Sequence, residues 1–202
     1  MSEEIKPNYT RVSDVASAYA GFARIPVKVL NYAGDRGSLV HRIIDDLLND
    51  LVVPDEKYMF EGKSVRPYVE SWEKYWETMQ VQEIGLQEKR LYGEEMKITG
   101  RMDLVARIHN PFTLKDDVTL FDWKTSRDVG KHWQIQAGGY LHILRENYIH
   151  IDNIVFVKLD KDGGDAVFTE YEVVKGLTDL FCTAHDLYMM FFKDLDINME
   201  MD

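Results

Sequence analysis

"LFDWKTS", residues 120–126, decides how this chain is read. In an extended segment residues two apart share a face, so Asp122 and Lys124 point one way while Phe121 and Trp123 point the other. The apolar pair faces a core and two opposite charges share the remaining face. Taken alone, Asp-x-Lys fits an ordinary same-face ion pair, which at a surface contributes little stability. A second segment, "KITGRMDLVARI" at 97–108, changes the weighing, because Asp103 sits inside an apolar run between Met102 and Leu104. If the two segments are neighbouring strands joined through the turn-rich "HNPFTLKDD", Asp103, Asp122 and Lys124 surround one point. Carboxylates that close repel, which raises the pKa of one unless a cation intervenes. A divalent, oxygen-preferring ion, Mg²⁺ or Mn²⁺, resolves the conflict.

Outward from these segments, 82–91, 96–108 and 117–124 alternate with the two-residue period of strands and read as one sheet. Before them, Leu39, Val40, Ile43, Ile44, Leu47, Leu48 and Leu51 recur at helical spacing and predict a helix over 37–51. Val69, Trp72, Tyr75, Trp76 and Met79 predict another over 66–80, with Pro67 suited to its first turn. A shorter helix over 13–23 starts at the capping residue Ser13. After the sheet segments, "HWQIQAGGYLHILREN" at 132–147 predicts a helix whose glycines let it lie close to the sheet. "NIVFVKLDKDGGDAVFTEYEV", 153–173, reads as a hairpin turning at Gly163 and Gly164, and 176–196 as a long closing helix. The expected fold is α/β, with a mixed central sheet flanked by helices. One domain is expected: a helical part over 1–80, the sheet and its crossing helix over 81–175, and the closing helix and tail over 176–202.

The bulk properties agree with a single core. The chain has 202 residues, 45% of them hydrophobic, and Cys182 is its one cysteine, so no intramolecular disulfide forms. No apolar run approaches spanning length, so an intracellular protein with no membrane partner is expected. The net charge of -11 argues against coating duplex DNA by charge alone, since each phosphate contact needs a local cation. It leaves room for a nucleic-acid enzyme with a small basic groove. The stretch "KTSRDVGKHWQIQ" gathers Lys124, Arg127, Lys131 and His132 around Trp133, which suits phosphate contacts with base stacking and equally suits an ordinary polar loop. Arg36 and Arg42 face the same groove if a helix starting near Gly37 points its amino end at a phosphate.

The series of motifs resembles the PD-(D/E)XK nuclease superfamily, in the branch containing the RecB-type nuclease domain, phage exonucleases and the mitochondrial genome-maintenance exonuclease. Asp103 followed by Asp122-Trp123-Lys124 matches the split signature. "RGSLVH", residues 36–41, supplies the early histidine, His41, and "QAGGY" supplies Gln136 and Tyr140 of a Q-x-x-x-Y motif on the following helix. The resemblance covers roughly residues 32–145 and implies a restriction-endonuclease-like core, with amino-terminal helices covering the active site. It implies that Asp103, Asp122, His41 and the Trp123 carbonyl bind Mg²⁺ or Mn²⁺, that Lys124 is catalytic, and that Gln136 and Tyr140 contact the substrate backbone. Glu88, which by pattern alone reads as a solvated strand residue, matches an additional acidic ligand. The implied activity is metal-dependent exonucleolytic hydrolysis of DNA, at single strands or ends, in recombination, repair or phage DNA processing, with a phage-encoded protein in a bacterial host among the readings. An endonuclease of the same superfamily and a non-catalytic DNA-binding subunit are the alternatives, and the intact motif set weighs against the second.

Overall fold

The computed structural model describes residues 6–22, 25–110 and 115–193. Strand β1 (Thr10–Arg11) runs into α1 (Val12–Ala18), and α2 (Val27–Leu48) leads to a small hairpin of β2 (Met59–Phe60) and β3 (Lys63–Ser64) and then to α3 (Arg66–Glu77). The sheet is laid down by β4 (Gln80–Gly93), β5 (Ile98–Asn110) and β6 (Lys115–Lys124). Helix α4 (Trp133–Glu146) crosses to β7 (Asn153–Lys158), which turns into β8 (Val167–Glu172), and α5 (Lys175–Phe191) closes the chain. Six strands form one mixed sheet. Its centre is β5, antiparallel to β4 along one edge and shared along the other by β1, which is parallel, and β6, which is antiparallel. Strand β6 pairs in parallel with β7, and β8 adds an antiparallel edge.

Helices cover both faces, giving an α/β fold with two apolar layers. On one, Leu120 and Phe156 pack with Val12 of α1, Trp133 of α4 and Phe181 of α5. On the other, Phe121 and Trp123 pack with Val40 and Ile43 of α2 and Trp72 of α3. Adjacent residues of β6 therefore serve opposite layers, as the strand period requires. Phe121 and Trp123 stack at 5.6 Å, and Trp76 meets both rings edge-on at 5.9 and 6.1 Å. Burying such a side chain stabilises by ~1.5–3 kcal/mol, with ~0.5–1.5 kcal/mol more for each favourable ring pair. Among the described residues no helix is long and apolar enough to cross a membrane.

Several expected boundaries move, for identifiable reasons. Helix α2 starts at Val27, not Gly37: its first turns leave Val27 and Val29 exposed and bury no apolar stripe, so periodicity gives no sign of them. The Arg36 and Arg42 reading that relied on a helix amino end near Gly37 falls with this. Helix α1 ends at Ala18 and α5 at Phe191, while residues 194–196 of the expected closing helix lie outside the described residues. The glycines of α4 admit other helices instead of the sheet. A Cβ on Gly138 would stand 2.1 Å from the Leu177 carbonyl oxygen, and one on Gly139 would stand 2.6 Å from both Phe181 and Val12. The close approach of α4 to the sheet comes from Gly100 of β5, where a Cβ would lie 2.8 Å from the Tyr140 ring.

Candidate active site

The site forms where β5 and β6 part. Their ladder runs from Asn110↔Lys115 to Leu104↔Phe121 and ends there, while β6 stays paired with β7 as far as Lys124↔Lys158. Beyond the break the Trp123 N–H donates to Asp103 Oδ2 at 2.8 Å, so a carboxylate takes the place of a strand carbonyl. Strand β5 changes phase at the same place: Met102 packs in the α4 layer and Leu104 in the α2–α3 layer. In β4, the ladder partners flanking this point are Gln87↔Leu104 and Lys89↔Met102, and Glu88 between them has φ 45°. A side-chain-bearing residue in this left-handed region costs ~1–3 kcal/mol and marks a place held by its surroundings. The irregularity turns Glu88 and Asp103 toward one another's side of the sheet end.

Helix α2 supplies the third group. Its buried Val40, Ile43 and Ile44 seat it on the sheet, and Gly37 and Arg36 dock it onto the end of β6: a Cβ on Gly37 would meet Thr125 Oγ1 at 3.3 Å, and Arg36 donates to the Thr125 carbonyl at 2.8 Å. One turn later His41 projects over the gap. Its Nε2 lies 2.8 Å from the Trp123 carbonyl oxygen, and its Nδ1 lies 3.2 Å from Asp103 Oδ1 and 3.8 Å from Glu88 Oε1. With an acceptor at each nitrogen, the ring is best satisfied as a doubly protonated imidazolium.

Helix α4 completes the other half. Lys124 Nζ lies 2.5 Å from Asp122 Oδ2 and donates to Gln136 Oε1 at 3.0 Å. The Gln136 amide nitrogen in turn donates to Asp122 Oδ1 at 3.2 Å and to Tyr140 Oη at 2.7 Å. Gln136 and Tyr140 share a face at i and i+4, so one helix register sets both. Asp122 and Lys124 do form the ion pair that the short motif alone suggested, inside a network that fixes the lysine's direction.

Electrostatics tie the halves together. Burial disfavours charge on His41, but Asp103, Glu88 and Asp122 outweigh it and hold the imidazole up at about 9. Burial, then repulsion from Asp103, pushes Glu88 up to about 7 against the pull of His41 and Arg101. Asp122 is pushed up to about 6 by burial and by Asp103 despite Lys124. Burial acts on Asp103 too, yet His41, Lys124 and the Trp123 N–H keep it below the ordinary carboxylate value. His41, beside Asp103 and Glu88, and Lys124, beside Asp122, are thus the cations that make these carboxylates tolerable together. Donor atoms of His41, Glu88 and Asp103 lie within 4.8 Å of one another, an oxygen-rich set that fits a divalent cation in the imidazolium's stead. Asp122 stands outside this tight group, engaged by Lys124 and Gln136.

Other expected residues lie elsewhere. The Arg127 side chain is 93% exposed with its Nε 3.6 Å from Asp128, and Lys131 is also exposed; neither joins the network. Trp133 is no base-stacking platform: it is buried in the core, stacked on Phe156 at 5.6 Å, because α4 begins there and turns it inward. Conversely, Arg11, Arg90 and Arg101 line a cleft of about 280 Å³ with Ser13, Thr99 and Tyr140, directly beside the site. Arg101 Nε also lies 2.6 Å from Glu88 Oε2. The three arginines come from β1, β4 and β5, and Arg90 and Arg101 are cross-strand partners. Glu88 offsets the charge of Arg101, and an anion in the cleft would offset that of its partner Arg90, a signal visible once the register is known.

No protein-family model matches this sequence, and no curated protein matches it. Solved structures similar to it include SSO0001, at 17% identity and a TM-score of 0.45, covering 95% of this chain and 80% of that one. LHK-Exo in complex with dAMP aligns at 14% identity and a TM-score of 0.45, covering 96% and 90%. A protein of Eubacterium rectale named as a candidate exonuclease aligns at 14% identity and a TM-score of 0.49, covering 90% and 79%.

Proposed function

We propose that the chain is a divalent-metal-dependent deoxyribonuclease of the PD-(D/E)XK superfamily, an exonuclease that hydrolyses phosphodiester bonds at single-stranded DNA or DNA ends. One observation carries the reading: His41, Glu88 and Asp103 meet at the break between β5 and β6, and Asp122, Lys124, Gln136 and Tyr140 form one hydrogen-bonded chain beside them. Asp103, Glu88 and His41, with Asp122 and the Trp123 carbonyl, would hold Mg²⁺ or Mn²⁺. Such an ion polarises the phosphoryl group and offsets the charge that develops on it.

The chain's own residues supply the rest. Lys124 directs its ammonium at the reacting phosphate region and neutralises charge there, and Gln136 prevents it from rotating away. To receive the ion, His41 releases the proton that its acidic neighbours hold, so metal binding and deprotonation are one event. The arginine cleft takes flanking phosphates, which explains how an acidic protein concentrates local cations at a single place. Exonucleolytic cutting, and a place in recombination, repair or phage DNA processing, rest on the resemblance of the motif series.

A time course on end-labelled linear and closed circular DNA, single and double stranded, with Mg²⁺ and with Mn²⁺ tests the proposal. Release of labelled mononucleotides or short products from linear ends is expected, with circles left intact and Lys124→Ala inactive yet folded. Cutting of a circular single strand makes the protein an endonuclease of the same chemistry. No hydrolysis of any substrate with either metal removes the enzymatic reading for this chain.

A further inference from the structure

The turn that joins β4 to β5 rests on α4 and α5, and its contacts are unusual. Glu146 Oε2 accepts the backbone N–H groups of Glu94 at 2.7 Å and of Glu95 at 3.2 Å, holding the turn against the helix. The other oxygen, Oε1, lies 2.9 Å from Nε2 of His142 one helical turn earlier, and Glu95 Oε2 lies 4.0 Å from the same nitrogen. Glu146 Oε1 and His142 Nε2 are both shut off from solvent, yet neither makes a hydrogen bond: the distance suits one and the direction does not. Gly93 leaves the room this needs, because a Cβ there would stand 3.0 Å from Glu146 Oε1.

Donor atoms of Glu95, His142 and Glu146 lie within 4.8 Å of one another. In a tetrahedral site with metal–donor bonds of ~2.0 Å, donors stand ~3.3 Å apart. The helix pair is therefore near that spacing already, and Glu95, exposed on a turn, is able to close the remainder. Helix α5 braces the same turn, where Cys182 Sγ lies 3.8 Å from Met96 Sδ. Leaving a buried polar group without a hydrogen bond costs ~1–3 kcal/mol, so the solvent-shut His142 Nε2 and Glu146 Oε1 ask for a shared partner.

We propose that Glu95, His142 and Glu146 form a second metal site, separate from the cluster around Asp103, which takes a zinc-class divalent cation and staples the β4–β5 turn to α4. One imidazole and two carboxylates with no further protein oxygen suit four-coordinate zinc, whereas the cluster around Asp103 would add Asp122 and the Trp123 carbonyl and so suit a more oxygen-rich ion. The staple steadies the helix that carries Gln136 and Tyr140 without touching the reacting groups.

The test is a titration of the full chain, stripped of metal by a chelator, with Zn²⁺ in the presence of excess Mg²⁺, read by competition with a chromophoric chelator and by thermal midpoint. The wild type is expected to bind zinc with a rise in midpoint. His142→Ala and Glu95→Gln are each expected to weaken that binding by at least about tenfold, while His41→Ala retains it. Glu95 is exposed on its turn, so its variant keeps the test valid if the His142 variant does not fold. Absence of zinc binding by the wild type, unchanged binding in Glu95→Gln and His142→Ala, or loss only in His41→Ala overturns the proposal.

Discussion

Two clusters in this molecule join one imidazole to two carboxylates, and they are built in different ways. His142 and Glu146 sit one turn apart on a regular helix and meet an exposed turn residue, so ordinary helical spacing sets their geometry. His41, Glu88 and Asp103 come from three elements and meet where the ladder between β5 and β6 stops and where Glu88 adopts a left-handed backbone. The first arrangement leaves the carboxylates partly in water. The second buries Asp103 beside Asp122, with His41 compensating Asp103 and Lys124 compensating Asp122. Strain and desolvation concentrate at the second, the proposed site of hydrolysis, and are lower at the first, the proposed staple.

The sharpest way to break that comparison is to remove one member from each. Asp103→Asn is expected to lower the hydrolysis rate at saturating Mg²⁺ by at least ~10³-fold, because the proposed cation loses an anionic ligand while the amide oxygen still accepts the Trp123 N–H and preserves the fold. His142→Ala under the same conditions is expected to leave the rate within about twofold. Rate measurements on a single labelled strand decide it; equal losses in the two variants mean that the clusters do not divide the work in this way.

A second separation comes from pH. Asp122, Glu88 and His41 all have folded-state pKa values above the ordinary ones, at about 6, about 7 and about 9. In the metal-free protein these three groups bind more protons folded than unfolded, so their contribution to stability falls as pH rises from the ordinary carboxylate value toward 9, while His132 and His185, lowered by burial, oppose it only up to the ordinary histidine value. Asp103 runs in the opposite sense, but only in acid, below the ordinary carboxylate value. The His41 share is fully present below about pH 6.5 and is lost through pH 9; the expected decline over that window is about 1–3 kcal/mol. Urea melts of chelated protein at several pH values measure it. His41→Gln is expected to flatten the upper part of the profile, and His142→Ala to leave that decline in place.

The same contrast explains what was legible in the sequence. Strand period and the turn between two segments are enough to bring Asp103, Asp122 and Lys124 near one point, while His41, Gln136 and Tyr140 join them in the sequence reading only through the resemblance of the motif series. Glu88 reads by pattern alone as a solvated strand residue because nothing in "QEKRLYG" announces a left-handed backbone; its position follows from the register with β5, a property of two strands together. Trp133, which the sequence leaves open between base stacking and an ordinary polar loop, is a related case. Its basic neighbours suggested a loop, while the first turn of α4 buries it against Phe156. The glycines of α4 showed that something packs closely but not what, since helical spacing fixes a face and leaves its partner open. The early turns of α2 carry exposed valines and so lack the periodicity by which helices are recognised.

The arginine cleft gives the smallest expected effect and the finest distinction. Arg127 belongs to the basic stretch that the sequence singles out, yet it is exposed and sits beside Asp128; Arg90 comes from a strand that drew no attention, yet it shares a cleft with Arg11, Arg101 and Tyr140. If local geometry and not local composition selects the DNA contacts, Arg90→Ala raises KM for single-stranded DNA by about tenfold with kcat little changed, and the loss shrinks as salt screens the remaining contacts. Arg127→Ala leaves both constants near the wild-type values. Arg101→Ala is expected to affect kcat as well, because its Nε also holds Glu88 Oε2 at 2.6 Å and so touches the metal cluster. Steady-state kinetics at two ionic strengths separate the three variants, and a larger KM effect for Arg127 than for Arg90 would return the DNA path to the loop before α4.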